Sequence, residues 1–352
     1  MALRPHLAMG LPLSLTSSGC TPGTPTSTAL TRALPGLGPL GALGHTAKVD
    51  FTRSEDPHEA VQPGSGEPRL GLPGSAAPAA PRWRRYVALG DSFTEGLWDV
   101  PDGDPPPSAQ AAPPGLVCRG WADLLAGHLA EWARLGDPDG EPVRYANLAV
   151  RGRLLGPILG EQVPAALELG ADLVSLIGGG NDLLRPTADP DRLAASLEAA
   201  VVGLRDAGVD VLLGTGMDAK DSPLMRRNRG RVAVLNSHIW SIARRHDAHV
   251  LDLWGMRSLR DWRMWAPDRI HLTTEGHRRV AQAALVALGL EPEDEAWDDP
   301  LAPLPPLPRV AQVRADVDWW RVHAYPWATR RLRGRSSGDL RGPKRPELLP
   351  LG

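Results

Sequence analysis

Asp268 and His271 stand three residues apart in PDRIHLTTEGH, a spacing that turns both side chains the same way on one turn of chain. A carboxylate so placed accepts a proton from one imidazole nitrogen and leaves the other to act as a base. A base needs a hydroxyl to work on. Ser92, in RYVALGDSFTEG, follows an apolar run that stops at Gly90, so it stands where a strand would hand over a small nucleophile. Attack of a hydroxyl on a carbonyl builds negative charge on oxygen, and that charge calls for fixed N–H donors. Gly152 in NLAVRG can present a backbone N–H with no side chain in the way, and Asn181 in GGGND carries a carboxamide NH₂.

Singly, each feature has an ordinary explanation. Gly178, Gly179 and Gly180 read as a tight turn, Asn181 as its capping residue, Gly152 as a glycine that opens a helix, and an Asp beside a His as a structural pair. Their weight comes from the elements that must carry them. From Arg84 onward, short continuous apolar runs alternate with longer helical stretches, the pattern of a parallel sheet covered on both faces. The predicted strands are YVALG (86–90), VRYANLA (143–149), ADLVSLIG (171–178), VDVLLG (209–214) and HVLDLW (249–254). Ser92, Gly152 and Asn181 follow the first three, and the Asp268–His271 pair follows the last. All four blocks therefore fall on the carboxyl edge of one sheet, where open α/β folds place their chemistry.

Helices are predicted over 120–135, 157–169, 190–207 and 274–288, with Asp189 capping the third ahead of Pro190. Another is built on Val232, Leu235, Ile239 and Ile242, spaced by three and four. Two long connections interrupt the rhythm. One, 98–117, is Pro-rich and follows the serine directly; the other, 255–269, carries Trp262 and Trp265. With Trp98, these rings are candidates for the wall of a substrate pocket, whereas the other tryptophans are expected in the core.

The ends of the chain differ in kind. The first 80 residues hold 11 Pro and 11 Gly but no Tyr, and all 12 Trp lie beyond them. Such a segment cannot bury enough apolar surface to offset its ordering entropy, so 1–80 is expected to be a disordered leader. Its SSGC, ending at Cys20, only faintly resembles a lipoprotein cleavage box, so the cytoplasm is expected ahead of export. GLGPLG within it lacks the preceding strand that a dinucleotide site requires. At the other end, an acidic and Pro-rich linker leads to Val310, Val313, Val317, Trp320 and Ala324, which predict an amphipathic helix within 291–329 packed on the body. The basic stretch 330–352 is expected to be a disordered tail.

A net charge of −2 gives no reason to expect nucleic-acid binding, and no apolar run is long enough to cross a bilayer, so a soluble protein is expected. Two cysteines make no disulfide framework, and no residues show the spacing of metal ligands, His246 and His249 included. No cofactor is called for, and the oligomeric state is left open.

The four blocks GDSFTEG, NLAVRG, GGGND and DRIH resemble those of the SGNH hydrolases, the GDSL-type esterase and lipase family. The resemblance runs over roughly 83–290, a hydrolase domain of about 81–290. It implies Ser92 as nucleophile, His271 as base, Asp268 as orienting acid, and an oxyanion hole made by Gly152, Asn181 and the N–H of Ser92. It also implies a flavodoxin-like three-layer α/β/α sandwich around a five-stranded parallel sheet, and a small-molecule ester as substrate. Phe93 stands where the eponymous motif has leucine, and no Gly-x-Ser-x-Gly elbow surrounds Ser92. The same five residues would serve a thioesterase, a lysophospholipase or a carbohydrate deacetylase. A non-catalytic ligand-binding module is the reading from another class; a base aligned on a hydroxyl argues against it. Asp91 is expected to be a structural anchor, not the acid.

Overall fold

In the computed structural model, the described residues are 82–351 apart from 101–102, 104–105, 107–115, 221, 223–224, 306–307 and 334–335. The expected leader, with SSGC and GLGPLG, lies outside them, as does most of the Pro-rich part of the 98–117 loop.

Strand β1 (Arg85–Gly90) leads to a one-turn helix α1 (Ser92–Glu95) and then α2 (Trp121–Gly136). Strand β2 (Arg144–Asn147) leads to α3 (Leu155–Pro157), a π-helical turn (Ile158–Gln162) and α4 (Val163–Glu168). After β3 (Leu173–Ile177) come α5 (Gly180–Leu183) and α6 (Pro190–Asp206); after β4 (Asp210–Gly214), α7 (Arg229–His246); after β5 (His249–Leu251), α8 (Thr274–Ala287). The chain then forms α9 (Arg309–Trp319), a second π-helical turn (Trp320–Ala324), α10 (Tyr325–Leu332) and β6 (Arg345–Pro350).

The sheet runs β5-β4-β3-β1-β2-β6, and β1 to β5 are parallel as expected. Every residue of β1 after Arg85 is buried, because helices cover both faces. Tyr86 and Ala88 pack in one core with Trp121 and Leu125 of α2 and Val280 and Ala284 of α8. Val87 and Leu89 point the other way, into a second core with Val201 of α6 and Leu235 and Ile239 of α7. This is the three-layer sandwich. Asp189 caps α6 by accepting from the N–H of Asp191 and Arg192, and Leu235, Ile239 and Ile242 form the buried face of α7.

Two expectations for the C-terminal region are overturned. The basic stretch 330–352 is not a disordered tail over 345–350: β6 adds an antiparallel sixth strand to β2, with Arg144 opposite Pro350 and Tyr145 opposite Leu349. The sheet is therefore mixed, not purely parallel. Two prolines hide this strand in the sequence, but Pro346 and Pro350 are tolerable at a sheet edge, where half of the ladder positions need no N–H. Lys344 fixes its start, with Nζ on the carbonyls of Glu95, Cys118 and Arg119 and, at 2.6 Å, on Asp123 Oδ2. Nor does most of the Val310–Val313–Val317–Trp320–Ala324 stripe pack on the body; Ala324 is buried, but the other four residues are more than half exposed. The other face of the helix makes the contacts. Asp316 pairs with Arg269 at 2.8 Å, and Trp319 donates its indole N–H to the carbonyl of Asp268 at 2.9 Å. Polar bonds rather than apolar burial set the helix's orientation, and periodicity does not report them.

Among the described residues no helix is long and apolar enough to cross a membrane, and no group of His, Cys, Asp or Glu side chains has the arrangement to hold a metal ion.

Candidate active site

In the sheet order β1 lies between β2 and β3, so the chain leaves β1 toward one side and returns to the other, opening a crevice at the strands' carboxyl ends. Gly90 ends β1 in that crevice. A Cβ there would meet Thr94 Oγ1 at 2.5 Å and the carbonyl of Ile177 at 2.7 Å, so only glycine lets the chain turn this close to β3. Gln162, from the π-helical turn, clasps the same residue, accepting from its N–H at 2.8 Å and donating to its carbonyl at 3.0 Å. Asp91 then caps α1 by accepting from Phe93 N–H, and Ser92 opens the helix.

The base arrives from the far end of the domain. Between β5 and α8, Trp265 and Leu272 form an antiparallel bridge, and Ala266 N–H donates to the carbonyl of His271 at 2.8 Å. These bonds close a tight turn that carries Asp268 to His271, with Arg269 at φ +58°. His271 Nε2 lies 2.8 Å from Ser92 Oγ, and its Nδ1 lies 2.7 Å from Asp268 Oδ2. An ionised carboxylate only accepts, which places the ring proton on Nδ1 and leaves Nε2 to accept from the serine hydroxyl.

Asp268 has all its acceptor positions engaged. Oδ1 accepts from the N–H of Ile270 and of His271, both at 3.0 Å, and Oδ2 accepts from His271 and from the indole N–H of Trp98 at 2.6 Å. Burial pushes this carboxyl up, but the neighbouring His271 and the donors outweigh it and hold the group well below the usual carboxylate range. Trp98, one of the rings expected to wall a pocket, does line a cavity beside His271. It is buried, at φ +76°, and its ring stands edge-on to His271 with centroids 6.5 Å apart. Its position on a loop after the serine was the only hint in the sequence. The bond to an acid 170 residues away was not legible there.

Gly152 and Asn181 are tied to this chain of bonds through their neighbours. Asn181 Nδ2 donates to Asp91 Oδ2 at 2.9 Å and to the carbonyl of Arg153 at 3.1 Å, linking the residue before Ser92 to the residue after Gly152. Both its N–H groups are thus engaged. Asp91 is the anchor expected, and burial pushes its carboxyl up to about 6. Gly152 has φ +75°, and a Cβ there would lie 2.1 Å from Ser336 Oγ. The C-terminal segment, which the sequence did not connect to the site, therefore lies against it. Arg151, beside Gly152, pairs with Glu95 of α1 and is almost wholly buried.

Two cavities flank the turn at Ile270, which lines both. The larger, about 150 Å³, is mainly apolar and runs from Gly180, beside Asn181, past Leu183, Met217 and Val232 to Trp262 and Trp265. These two rings are where a pocket wall was expected. The smaller, about 60 Å³, borders His271 and Asp268 and is roofed by Val322, His323, Trp327, Arg330 and Ser337 from the C-terminal segment.

Among solved structures, the fold is similar to that of LAE5, an alpha/beta hydrolase enzyme from the metagenome of Lake Arreo, Spain, with 23% identity over 60% of this chain and 96% of that one, at a TM-score of 0.46. It is also similar to TesA, with 22% identity over 58% and 97% of the two chains and a TM-score of 0.43. A third likeness is to a catalytic mutant of Axe2, an acetylxylan esterase from Geobacillus stearothermophilus, with 20% identity over 59% and 95% and a TM-score of 0.45. No curated protein matches the sequence. The model of the GDSL-like Lipase/Acylhydrolase family matches residues 88–279, from the middle of β1 into α8 and so across every block that meets at this sheet edge, and the chain belongs to that family.

Proposed function

We propose that this family member is an esterase that works by acyl transfer, with Ser92 as nucleophile, His271 as general base and Asp268 as orienting acid. The observation that carries this reading is the unbroken path of hydrogen bonds from Ser92 Oγ through both nitrogens of His271 to Asp268. Ser92 Oγ attacks the ester carbonyl carbon as its proton passes to Nε2, and the carbonyl π pair moves onto oxygen. Backbone N–H groups of Ser92 and Gly152 receive that oxyanion, together with Asn181 Nδ2, whose longer bond to Arg153 is the one exchanged for it. Collapse of the intermediate expels the alcohol, which takes the Nε2 proton and leaves an acyl-serine. Water, deprotonated by the same nitrogen, then releases the acid.

The apolar cavity suits the acyl group, since it begins at Gly180, next to Asn181, and is lined largely by Leu, Met, Val and Trp side chains. The arrangement needs no metal or organic cofactor for any step. The test is hydrolysis of p-nitrophenyl esters of graded chain length, with covalent labelling by a fluorophosphonate. The expected result is turnover and labelling by the wild type and neither by Ser92→Ala. Full activity in that variant would overturn the mechanism.

A further inference from the structure

The small cavity beside His271 owes nearly half of its lining to residues 322–337, which lie beyond the segment that carries the four blocks. Its charge is uneven. Asp268, its one acid, is saturated by four donors, and Arg151 is paired with Glu95. Arg330 has no such partner: among the described residues no carboxylate or carbonyl accepts from its guanidinium, and burial alone, with no neighbouring acid to oppose it, pulls its pKa down. The imidazole of His323, also on this wall, makes no hydrogen bond among the described residues; burial keeps the ring toward the neutral form despite Asp268 nearby. A half-buried arginine with no anion paired to it, in a cavity whose one carboxylate is already saturated, is costly unless something anionic arrives to meet it.

Geometry says which part of a substrate that would be. The atom that His271 protonates is the leaving oxygen, so the alcohol portion lies on the histidine side and the acyl portion on the Asn181 side. We infer that the His271-side cavity is the subsite for the alcohol portion, and that Arg330 selects alcohols bearing an anionic group, a carboxylate, sulfonate or phosphate. The inference rests on the acyl-transfer reading above. The substrate class is then an ester with an apolar acyl chain and an anionic alcohol. Arg330 is a specificity residue whose fork of N–H donors suits a planar or tetrahedral oxyanion, and His323 and Ser337 add further donors at the same wall.

The test compares meta-hexanoyloxybenzoate, its sulfonate analogue and the neutral meta-hexanoyloxybenzamide in wild type, Arg330→Gln and Arg330→Lys. The ratio of kcat/KM between anionic and neutral esters is expected to fall about tenfold in Arg330→Gln, through KM, and to recover in part in Arg330→Lys. The carboxylate and sulfonate arms show which oxyanion shape is preferred. An equal loss on charged and neutral esters would overturn the inference while leaving acyl transfer intact. A readout without turnover separates the two: meta-hexanoyloxybenzoate should bind Ser92→Ala about tenfold more tightly than Ser92→Ala/Arg330→Gln in calorimetry. That difference with an inactive wild type would overturn acyl transfer and keep the anion subsite; equal binding would overturn the subsite.

Discussion

Trp98 and His271 donate to the same oxygen of Asp268, at 2.6 and 2.7 Å, so the carboxylate is held by the loop after the serine as well as by the histidine it faces. Removing the indole donor leaves a buried anion with one bond fewer and lets it rotate off the histidine. Trp98→Phe removes the indole N–H while keeping an aromatic, though smaller, ring at this position. We expect kcat on a neutral ester to fall about tenfold with KM little changed, within the range of a charge-assisted hydrogen bond. A kcat within twofold of wild type would show that Trp98 does not position the acid.

Asp268→Asn keeps the shape of the side chain and removes its charge. The proposed mechanism then loses the ring tautomer that leaves Nε2 unprotonated, and kcat should fall on the order of ten-thousand-fold, as in other triads. The pH dependence of stability has a sign. The folded-state pKa of Asp268 is depressed, so its contribution is present above the unfolded value near pH 4 and is lost as pH falls below it. Urea unfolding should show the gap between wild type and Asp268→Asn narrowing from pH 7 to pH 3; a constant gap would refute the assignment.

Asp91 behaves in the opposite way. Its pKa is raised to about 6, so between about pH 4 and 6 the folded protein binds a proton that the unfolded chain does not. The charged form therefore costs stability above pH 6, and the cost fades as pH falls through that window. Asp91→Asn, which retains a capping oxygen, is expected to be more stable than wild type at pH 8 by about 1–3 kcal/mol, with the difference shrinking toward pH 4. Its activity should nevertheless drop, because Asn181 loses a charged anchor. Calorimetric melting across pH, paired with ester turnover, checks both halves.

Gly152→Ala places a methyl group 2.1 Å from Ser336 Oγ and demands φ +75° of alanine. We expect a loss of about 1–2 kcal/mol from the backbone alone, and a fall in kcat/KM as the proposed oxyanion donor shifts. The Gly152→Ala/Ser336→Gly double variant relieves the collision but not the dihedral, so it should recover part of the activity. No recovery would mean that Ser336 does not press on this residue in solution.

Lys344→Met removes a cation that holds three carbonyls and Asp123, whose carboxyl burial already pushes up to about 6. Leaving Asp123 without its partner should cost about 3–5 kcal/mol, which in a domain of this size lowers the melting temperature by about 6–20 °C. A change within 2 °C would show that the lysine is dispensable.

The parts of the site legible in the sequence were those whose spacing or position carries a physical signature. The three-residue step from Asp268 to His271, the glycine that ends β1 before Ser92, and the apolar runs buried on both faces all encode their geometry locally. Tyr86 and Val87 announce two cores because adjacent residues of one strand are both apolar. The bonds from Trp98 and Trp319 to Asp268 join residues far apart in sequence through single polar atoms, and neither has a period. β6 was hidden for a different reason: Arg345–Pro350 pairs along one edge only, so it needs neither the alternation nor the β-branched residues by which strands are recognised.

β6 meets β2 across a sequence separation of 206 residues, from Arg144 to Pro350, whereas each neighbouring pair of parallel strands is joined by a much shorter segment. Closing so long a loop is entropically slow, and it follows the compaction of everything between. The segment that presses on Gly152 and roofs the His271-side cavity is strung between α9 and this last strand. In refolding, ester hydrolysis with the selectivity proposed for Arg330 should therefore return after the far-ultraviolet helical signal, so the family core forms first and its discrimination among substrates matures last.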